Sequence, residues 1–310
     1  MRPTLSVVAL AAVLVLVGGA RAFAQAQAPP ASWSAADCQT CHDKPLGPAF
    51  AKTQHATLPE SCASCHTKLD EHFKAQSAGD ANDLGPSLKK VKAQQVTAIC
   101  LSCHEKDKQA NFATSMHDRR NVTCTSCHSV HSFASVKAQL KTKNDTETCY
   151  TCHKPERAKS MRTSHHPVRE GKIGCASCHN PHDGSQPKMI KADSVNELCY
   201  GCHTEKRGPF LFEHAPVRED CVSCHEPHGS NHKRLLVNKL PNLCWNCHLT
   251  GSGHFGSGDN LSTEQGVPVA PAGAPTGFPT VNSRFVEKNC KNCHTNLHGS
   301  NSPSGAFFVR

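Results

Sequence analysis

The sequence predicts a mainly α-helical chain with extensive loops, built from five tandem units and not around a core of side chains. Three observations predict this fold class. The 310 residues include 20 Cys and 22 His but only two Trp and two Tyr, one short Cys/His motif recurs from end to end, and apolar residues are scarce beyond a hydrophobic leader. A chain of this length buries a large core only if it has apolar material to place there. Repetition of a unit that cannot bury itself alone indicates a stacked, elongated array.

The first 24 residues are expected to be a secretory signal peptide. Arg2 supplies a short positive region, residues 5–17 are an uninterrupted run of small and apolar side chains, and Ala22-Phe23-Ala24 fits a small-x-small cleavage site. The apolar run falls short of the about 20 residues that span a bilayer. We therefore expect an exported, soluble mature chain of residues 25–310.

All 20 cysteines fall in ten Cys-x-x-Cys-His motifs. The motif cysteines are Cys38 and Cys41, Cys62 and Cys65, Cys100 and Cys103, Cys124 and Cys127, Cys149 and Cys152, Cys175 and Cys178, Cys199 and Cys202, Cys221 and Cys224, Cys244 and Cys247, and Cys290 and Cys293. The motif histidines are His42, His66, His104, His128, His153, His179, His203, His225, His248 and His294.

This pattern distinguishes three kinds of cysteine chemistry. A disulfide framework gives no reason for a histidine after each second cysteine, and a zinc site gains nothing from one. In c-type haem attachment, the two thiols form thioether bonds to haem and the adjacent histidine binds the iron as proximal ligand. A two-residue spacer lets these groups address one porphyrin from a single helical turn. The sequence therefore predicts ten covalently bound haem c groups.

Twelve histidines lie outside the motifs, and their positions follow a repeat. Pairing the motifs gives five two-haem units near residues 38–72, 100–131, 149–182, 199–228 and 244–298. Each unit supplies two further histidines, as bis-histidine ligation of every iron requires. The predicted distal ligands are His55, His72, His117, His131, His165, His182, His214, His228, His254 and His298.

Two of these assignments leave alternatives. Matching "HHPVREGKIGC" with "HAPVREDC" favours His165, whereas counting from the preceding motif favours His166; we take His165 as the ligand and His166 as a spare. His232 has no counterpart in the related stretches and is the second spare. His182 lies too close behind His179 to reach the far side of that iron, so we expect it to bind a neighbouring haem and lock successive units together. Met116, Met161 and Met189 are interpreted as packing residues, since enough histidines are present.

Close packing of the porphyrins is expected to form the core, because only roughly 29 residues are available per haem. Packed redox-active macrocycles predict electron transfer along the chain. The formal charge of +9 falls by two when Arg2 and Arg21 leave with the leader, and each ferric haem adds about −1. The assembled protein is then not basic, which removes the main support for nucleic-acid binding.

Residues 249–283 depart from the repeat. They are rich in Gly, Ser and Pro, with no charged residue from Gln265 to Ser283. Such a segment is either a loose linker or an extended arm along the haem array or a partner.

The ten-motif count, the stretch "HAPVREDCVSCHEPHGS" and the ending "CKNCHTNLHGSNSPSG" resemble the periplasmic decahaem cytochromes of the MtrA/DmsE family, over essentially the whole mature chain. The resemblance implies a bis-histidine haem wire inserted in an outer-membrane β-barrel porin. It also implies transfer of electrons between periplasmic or inner-membrane cytochrome donors and an extracellular multihaem cytochrome or reductase, for respiration on metal oxides or dimethyl sulfoxide.

Other functions compete with this conduit. A freely diffusing periplasmic electron shuttle fits the ligand count equally well. A multihaem reductase would need one iron with an open position, and a haem store would need no ordered array. We expect an electron-transfer protein without catalytic residues, periplasmic and associated with the outer membrane through its barrel partner.

Overall fold

The computed structural model of the chain describes residues 35–42, 46, 48–58, 62–80, 85, 87–106, 109–248 and 289–309. The predicted signal peptide, His254 and the segment 249–283 lie outside these residues. Within the described part, no helix is both long enough and apolar enough to cross a membrane.

Short helices joined by loops make up the described residues, and the predicted mainly α-helical class is confirmed. The α-helices are α1 (Ala35–Gln39), α2 (Leu69–Ser77), α3 (Ala93–Leu101), α4 (Met116–Arg119), α5 (Cys124–Cys127), α6 (Asp145–Tyr150), α7 (Lys154–Ser160), α8 (Val195–Tyr200), α9 (Ala215–Glu219) and α10 (Asn242–Trp245). Single 3₁₀ turns cover Phe50–Lys52, Gln54–Thr57, Leu88–Lys90, Phe112–Thr114, Lys137–Gln139, Cys175–Ser177, Pro187–Met189, Thr204–Lys206, Cys221–Ser223, Lys233–Leu235, Cys290–Asn292 and Gly305–Phe307. β-Pairing is limited, in these ranges, to isolated bridges.

The odd-numbered motifs, counted along the chain, begin inside α-helices. Cys149 lies in α6 and Cys199 in α8. The Asn144 side chain accepts a hydrogen bond from the Glu147 N–H at 2.8 Å, and the Ser194 hydroxyl accepts one from the Glu197 N–H at 3.1 Å. Such caps satisfy a backbone donor that the first helical turn leaves unpaired. The cap therefore starts a helix that carries the motif cysteine one turn later.

The even-numbered motifs from Cys124 onward begin at a capped turn of their own. Asp220 accepts from the Val222 N–H at 2.9 Å, and Asn289 accepts from the Lys291 N–H at 2.9 Å. The motif histidine then forms an isolated antiparallel bridge to a residue of the following loop, pairing His128 with Leu140, His179 with Ile190 and His225 with Leu236. The two motif types thus have different local structures.

Side chains contribute little to the interior. Among the described residues, the buried hydrophobic side chains are Phe50, Val96 and Phe112. The Phe50 ring contacts His131 and the Phe112 ring contacts His182, with centroid distances of 5.9 and 6.4 Å. The buried aromatic groups therefore pack against histidines, in keeping with a core that is not made of aliphatic residues.

Glycines allow the units to dock closely. Gly229 has a φ of 141°, and a Cβ atom there would lie 2.0 Å from the carbonyl oxygen of Lys159. Ser230, the next residue, exchanges backbone hydrogen bonds with Ser164 at 2.7 and 3.0 Å. The loop after the eighth motif is therefore pressed onto the segment that follows α7 and precedes the sixth motif.

Candidate haem-binding sites

Each Cys-x-x-Cys-His motif folds into one helical turn. In all ten motifs the histidine N–H donates to the carbonyl oxygen of the first cysteine, at 2.8 to 3.1 Å. This places the two thiols and the imidazole on one turn, as attachment to a single porphyrin requires. All 20 cysteines are free of disulfide bonds.

The first cysteines of neighbouring motifs meet in pairs. The pairs are Cys38 with Cys62, Cys100 with Cys124, Cys149 with Cys175, Cys199 with Cys221, and Cys244 with Cys290. A hydrogen bond with Cys124 raises the pKa of Cys100, and the same contact lowers the pKa of Cys124 to about 7. Thioether bonds would replace these thiols, so the contacts matter here as geometry. They fall within the five predicted two-haem units.

The second cysteines meet across the boundaries between those units. Cys65 lies near Cys103, Cys127 near Cys152, Cys178 near Cys202, and Cys224 near Cys247. Burial, followed by the neighbouring thiol, raises the pKa of Cys65, Cys127, Cys178 and Cys224. Together the two sets of contacts connect all ten motifs in one series, in the order of the chain.

Nine motif histidines each face one histidine from outside the motifs. The ring centroids are 5.8 to 6.2 Å apart. The pairs are His42 and His72, His104 and His55, His66 and His131, His153 and His117, His128 and His182, His203 and His166, His179 and His228, His248 and His214, and His225 and His298.

This spacing fits one iron between two imidazoles. Metal–imidazole bonds are about 2.0–2.1 Å, so two ligands on opposite sides of a metal have ring centroids about 6 Å apart. In the described part of the chain, no group of three or more His, Cys, Asp or Glu side chains gathers as a metal site would require. The pairs therefore have the spacing that bis-histidine haem ligation requires.

The assignment of His165 is not supported by this geometry. Both of its ring nitrogens are engaged: Nδ1 faces the carbonyl oxygen of Arg162 at 2.6 Å, and Nε2 faces the carboxylate of Glu170 at 3.1 Å. His166 instead faces His203. Its Nδ1 lies 2.8 Å from the carbonyl oxygen of Pro227, which leaves Nε2 directed at the partner ring.

The sequence contained a signal for His166. His55 lies thirteen residues after His42, His117 thirteen after His104, and His166 thirteen after His153. His232, predicted as a spare, is half-buried and belongs to none of the nine pairs. His254, the predicted partner of His294, lies outside the described residues.

Backbone carbonyls hold several of the imidazoles in place. In four motifs the Nδ1 atom of the motif histidine lies close to a backbone carbonyl oxygen of the following loop. The contacts are His128 with Ala138 at 2.6 Å, His179 with Lys188 at 3.0 Å, His225 with Arg234 at 2.8 Å, and His294 with Phe307 at 2.6 Å. A carbonyl can only accept, so Nδ1 is the donor and Nε2 remains available for iron. Partners of this kind fix the tautomer and orientation of a ligand histidine.

An unusual backbone conformation presents three of these carbonyls. Ala138 and Gln139 have φ of 61° and 49°, Lys188 and Met189 of 55° and 54°, and Arg234 and Leu235 of 61° and 58°. Residues with side chains rarely adopt this left-handed region. It recurs at the same place in three units, where sequence reasoning gave no sign of it.

Distal imidazoles are anchored by the following unit. The Nδ1 atom of His117 lies 3.2 Å from the carbonyl oxygen of Pro181, and that of His166 lies 2.8 Å from that of Pro227. Pro181 and Pro227 directly precede His182 and His228, which are themselves paired histidines. One loop therefore serves two neighbouring sites.

Burial lowers the pKa of several of the paired histidines and so favours their neutral form. It is the main cause that lowers the pKa of His55, His131, His179 and His214. Burial and the nearby Lys206 lower the pKa of His298 to about 4. The neutral imidazole is the form that binds a metal.

Comparison with known proteins identifies the repeat and the family of the chain. The family model "Doubled CXXCH motif" matches residues 117–158, 165–208 and 214–252. Each matched stretch contains the second motif of one predicted unit and the first motif of the next. A tandem repeat of alternating motifs can be divided into pairs in either of these two ways. The chain is also 34% identical over 250 residues to the multihaem cytochrome MtrA of Shewanella baltica (strain OS185), covering 80% of this chain and 70% of that protein. The predicted family is confirmed: the chain belongs to the MtrA family of multihaem c-type cytochromes, electron-transfer proteins with covalently bound haem c.

Proposed function

We propose that this protein is a decahaem electron wire in which every iron has two histidine ligands. The observation that carries the proposal is the set of nine histidine pairs, each joining one motif histidine to one histidine from elsewhere at about 6 Å. The cysteine contacts arrange the motifs in chain order. The ten motifs would hold ten haems in that order, which would supply one-electron couples along the chain.

The ligand set exchanges histidines between neighbouring units. His55 of the first unit faces His104 of the second, and His131 of the second faces His66 of the first. The same reciprocal exchange occurs at the other three junctions, through His117 and His182, His166 and His228, and His214 and His298. Each junction would thus be held by two interchanged ligands.

The first unit is the basis for assigning the second ligand of the last motif. His72 faces His42 within one unit, so the terminal haem takes both ligands locally. By symmetry we assign His254 to His294, both of the fifth unit. All ten irons are then six-coordinate.

Saturated coordination favours electron transfer over catalysis. A substrate or small ligand needs an open iron position, and the distal histidines occupy it. The carbonyl-anchored Nδ1 atoms keep each Nε2 aimed at its metal, which limits ligand movement during a change of oxidation state.

For the cellular role we propose a periplasmic conduit through the outer membrane. The signal-like leader and the membership of the MtrA family support this role. The partners would be an outer-membrane β-barrel porin, a periplasmic or inner-membrane cytochrome donor, and an extracellular multihaem cytochrome or reductase. A soluble shuttle with the same haem set is the competing role.

Two measurements test the proposal. Mass spectrometry of the mature protein should give ten haems, and the fully reduced protein should bind no stoichiometric carbon monoxide. Uptake of one carbon monoxide per protein would overturn complete bis-histidine ligation and favour a reductase.

Purification in mild detergent from native membranes then tests the cellular role. Recovery with one equivalent of an outer-membrane barrel is expected for a conduit. Recovery only as free protein from the periplasmic fraction would overturn the conduit and favour the shuttle.

A further inference from the structure

Three even-numbered motifs continue as Cys-x-x-Cys-His-x-x-His, and the first residue of the spacer differs among them. It is Ser129 before His131, Asn180 before His182 and Glu226 before His228. The side chain at this position folds back onto the loop. The Asn180 Oδ1 atom accepts from the His182 N–H at 3.2 Å, and the Glu226 Oε1 atom accepts from the His228 N–H at 3.3 Å.

Glu226 makes an additional contact with the imidazole. Its Oε1 atom lies 3.2 Å from Nδ1 of His228. A carboxylate oxygen accepts, so the ring nitrogen is the donor. His228 therefore directs Nε2 toward His179, whose ring lies 6.1 Å away at an interplanar angle of 12°.

The carboxylate is held in place by a second unit. Its Oε2 atom lies 2.9 Å from Nζ of Lys159, and the two side chains are 26% and 30% exposed. Lys159 lies in α7, the helix against which Gly229 packs. The close backbone approach at Gly229 brings Glu226 within reach of Lys159, so the carboxylate is held by two units.

We propose that Glu226 is a positioning residue that lowers the reduction potential of the haem held between His179 and His228. A carboxylate that accepts a hydrogen bond from the Nδ1–H group makes a ligand imidazole more basic. A more basic ligand donates more strongly to iron and stabilises the ferric state. The inference rests on the ligand set proposed above.

The haem between His128 and His182 provides the internal reference. Its proximal His128 is anchored by the Ala138 carbonyl as His179 is by that of Lys188. The spacer residue beside its distal ligand is the neutral Asn180. The two sites therefore differ in the charge of the side chain at one matched position.

The test is spectroelectrochemical titration of the full-length, haem-loaded protein. In Glu226→Gln, one haem of the ten should titrate at a more positive potential, by at least a tenfold change in its one-electron equilibrium constant, about 59 mV. In Asn180→Glu, the potential of the haem between His128 and His182 should shift in the opposite direction, to a more negative value. This variant tests the proposal by itself if the Glu226→Gln protein does not accumulate.

Lys159→Met distinguishes an electrostatic effect of Glu226 on the haem from a structural effect of the ion pair on the fold. It removes the cation but keeps the carboxylate, so it should shift the same haem to a more negative potential. If the ion pair acted only by holding the fold, Lys159→Met and Glu226→Gln would move the potential in the same direction. That result, or unchanged potentials in both Glu226→Gln and Asn180→Glu, overturns the proposal.

A further variant distinguishes failure of the ligand set. Reduced His228→Ala should bind one carbon monoxide per protein at the opened iron. No binding would overturn the assignment of His228 and the role of Glu226 with it. Binding of carbon monoxide together with unchanged potentials in Glu226→Gln and Asn180→Glu would overturn the role of Glu226 alone.

Discussion

The odd-numbered motifs of His153 and His203 hold their histidines in the opposite way to the even-numbered motifs from Cys124 onward. In even-numbered motifs, a proximal histidine such as His179 donates to a carbonyl of its own following loop. In odd-numbered motifs, the proximal His153 and His203 are more than half exposed, and their Nδ1 atoms lie 3.9 Å from the carboxylates of Glu156 and Glu205. Their distal partners, His117 and His166, are the ones that donate to a carbonyl, supplied by the following unit.

The difference shows two sources of preorganisation in one repeat. The sites at His128, His179, His225 and His294 are anchored locally on the proximal side, and the sites at His153 and His203 are anchored on the distal side by the following unit. Each of these sites thus has at least one imidazole with a fixed tautomer, which orients it as a metal ligand. Changes to a local loop should affect one haem, and changes to a docking surface should affect two.

The largest effect is expected from His166→Ala. Removing the distal ligand of the site at His203 should leave one five-coordinate iron, because no other ring faces His203 closely in the described structure. The measurement is carbon monoxide uptake by the reduced protein, with one equivalent expected.

His165→Ala is the matched control. Its ring nitrogens contact Arg162 and Glu170, so this variant should bind no carbon monoxide and retain the wild-type visible spectrum. The opposite result, with uptake by His165→Ala and none by His166→Ala, would restore the assignment made from the aligned repeats.

The next largest effect is expected from Gly229→Ala, which breaks the anchoring between units. The new methyl group would collide with the Lys159 carbonyl at 2.0 Å, and the φ of 141° disfavours any side chain. Overpacking and backbone strain cost about 1–3 kcal/mol each. The variant should therefore lose the visible spectrum of the bis-histidine haems at a lower urea concentration than the wild-type protein, as measured by the midpoint of a urea titration.

Gly171→Ala is the control for this prediction. Gly171 also has a positive φ, of 69°, but a Cβ atom there would meet nothing within 4 Å. It should cost only the conformational strain, about 1–2 kcal/mol. Equal midpoints for the two variants would show that the contact with α7 contributes nothing.

The sequence predicted the chemistry better than the geometry. Ten motif turns could be predicted because both thiols and the imidazole lie within five consecutive residues. The identity of distal ligands depends on tertiary contacts: Glu170 occupies Nε2 of His165, and only the fold shows that contact. The left-handed pairs could not be predicted, since Lys188 and Met189 have no preference for that region. Backbone bonds impose it, from the Lys191 N–H to Cys178 and from the Asn180 N–H to Met189, at 3.0 and 2.8 Å.

The smallest effect is expected from Lys188→Val, which weakens local anchoring at one haem. A β-branched residue is less tolerant of the left-handed region, at a cost of about 1–2 kcal/mol. The Lys188 carbonyl should then hold His179 less well, so the ligand becomes less basic and the potential of that haem rises. Lys188→Gly adopts the conformation freely and should keep the wild-type potential. If the Val and Gly variants titrate alike, the left-handed pair does not tune this iron. Lys188 and Glu226 act on opposite ligands of one haem, so their shifts should add in the double variant Lys188→Val with Glu226→Gln. A non-additive result would mean that the two anchors are coupled to each other.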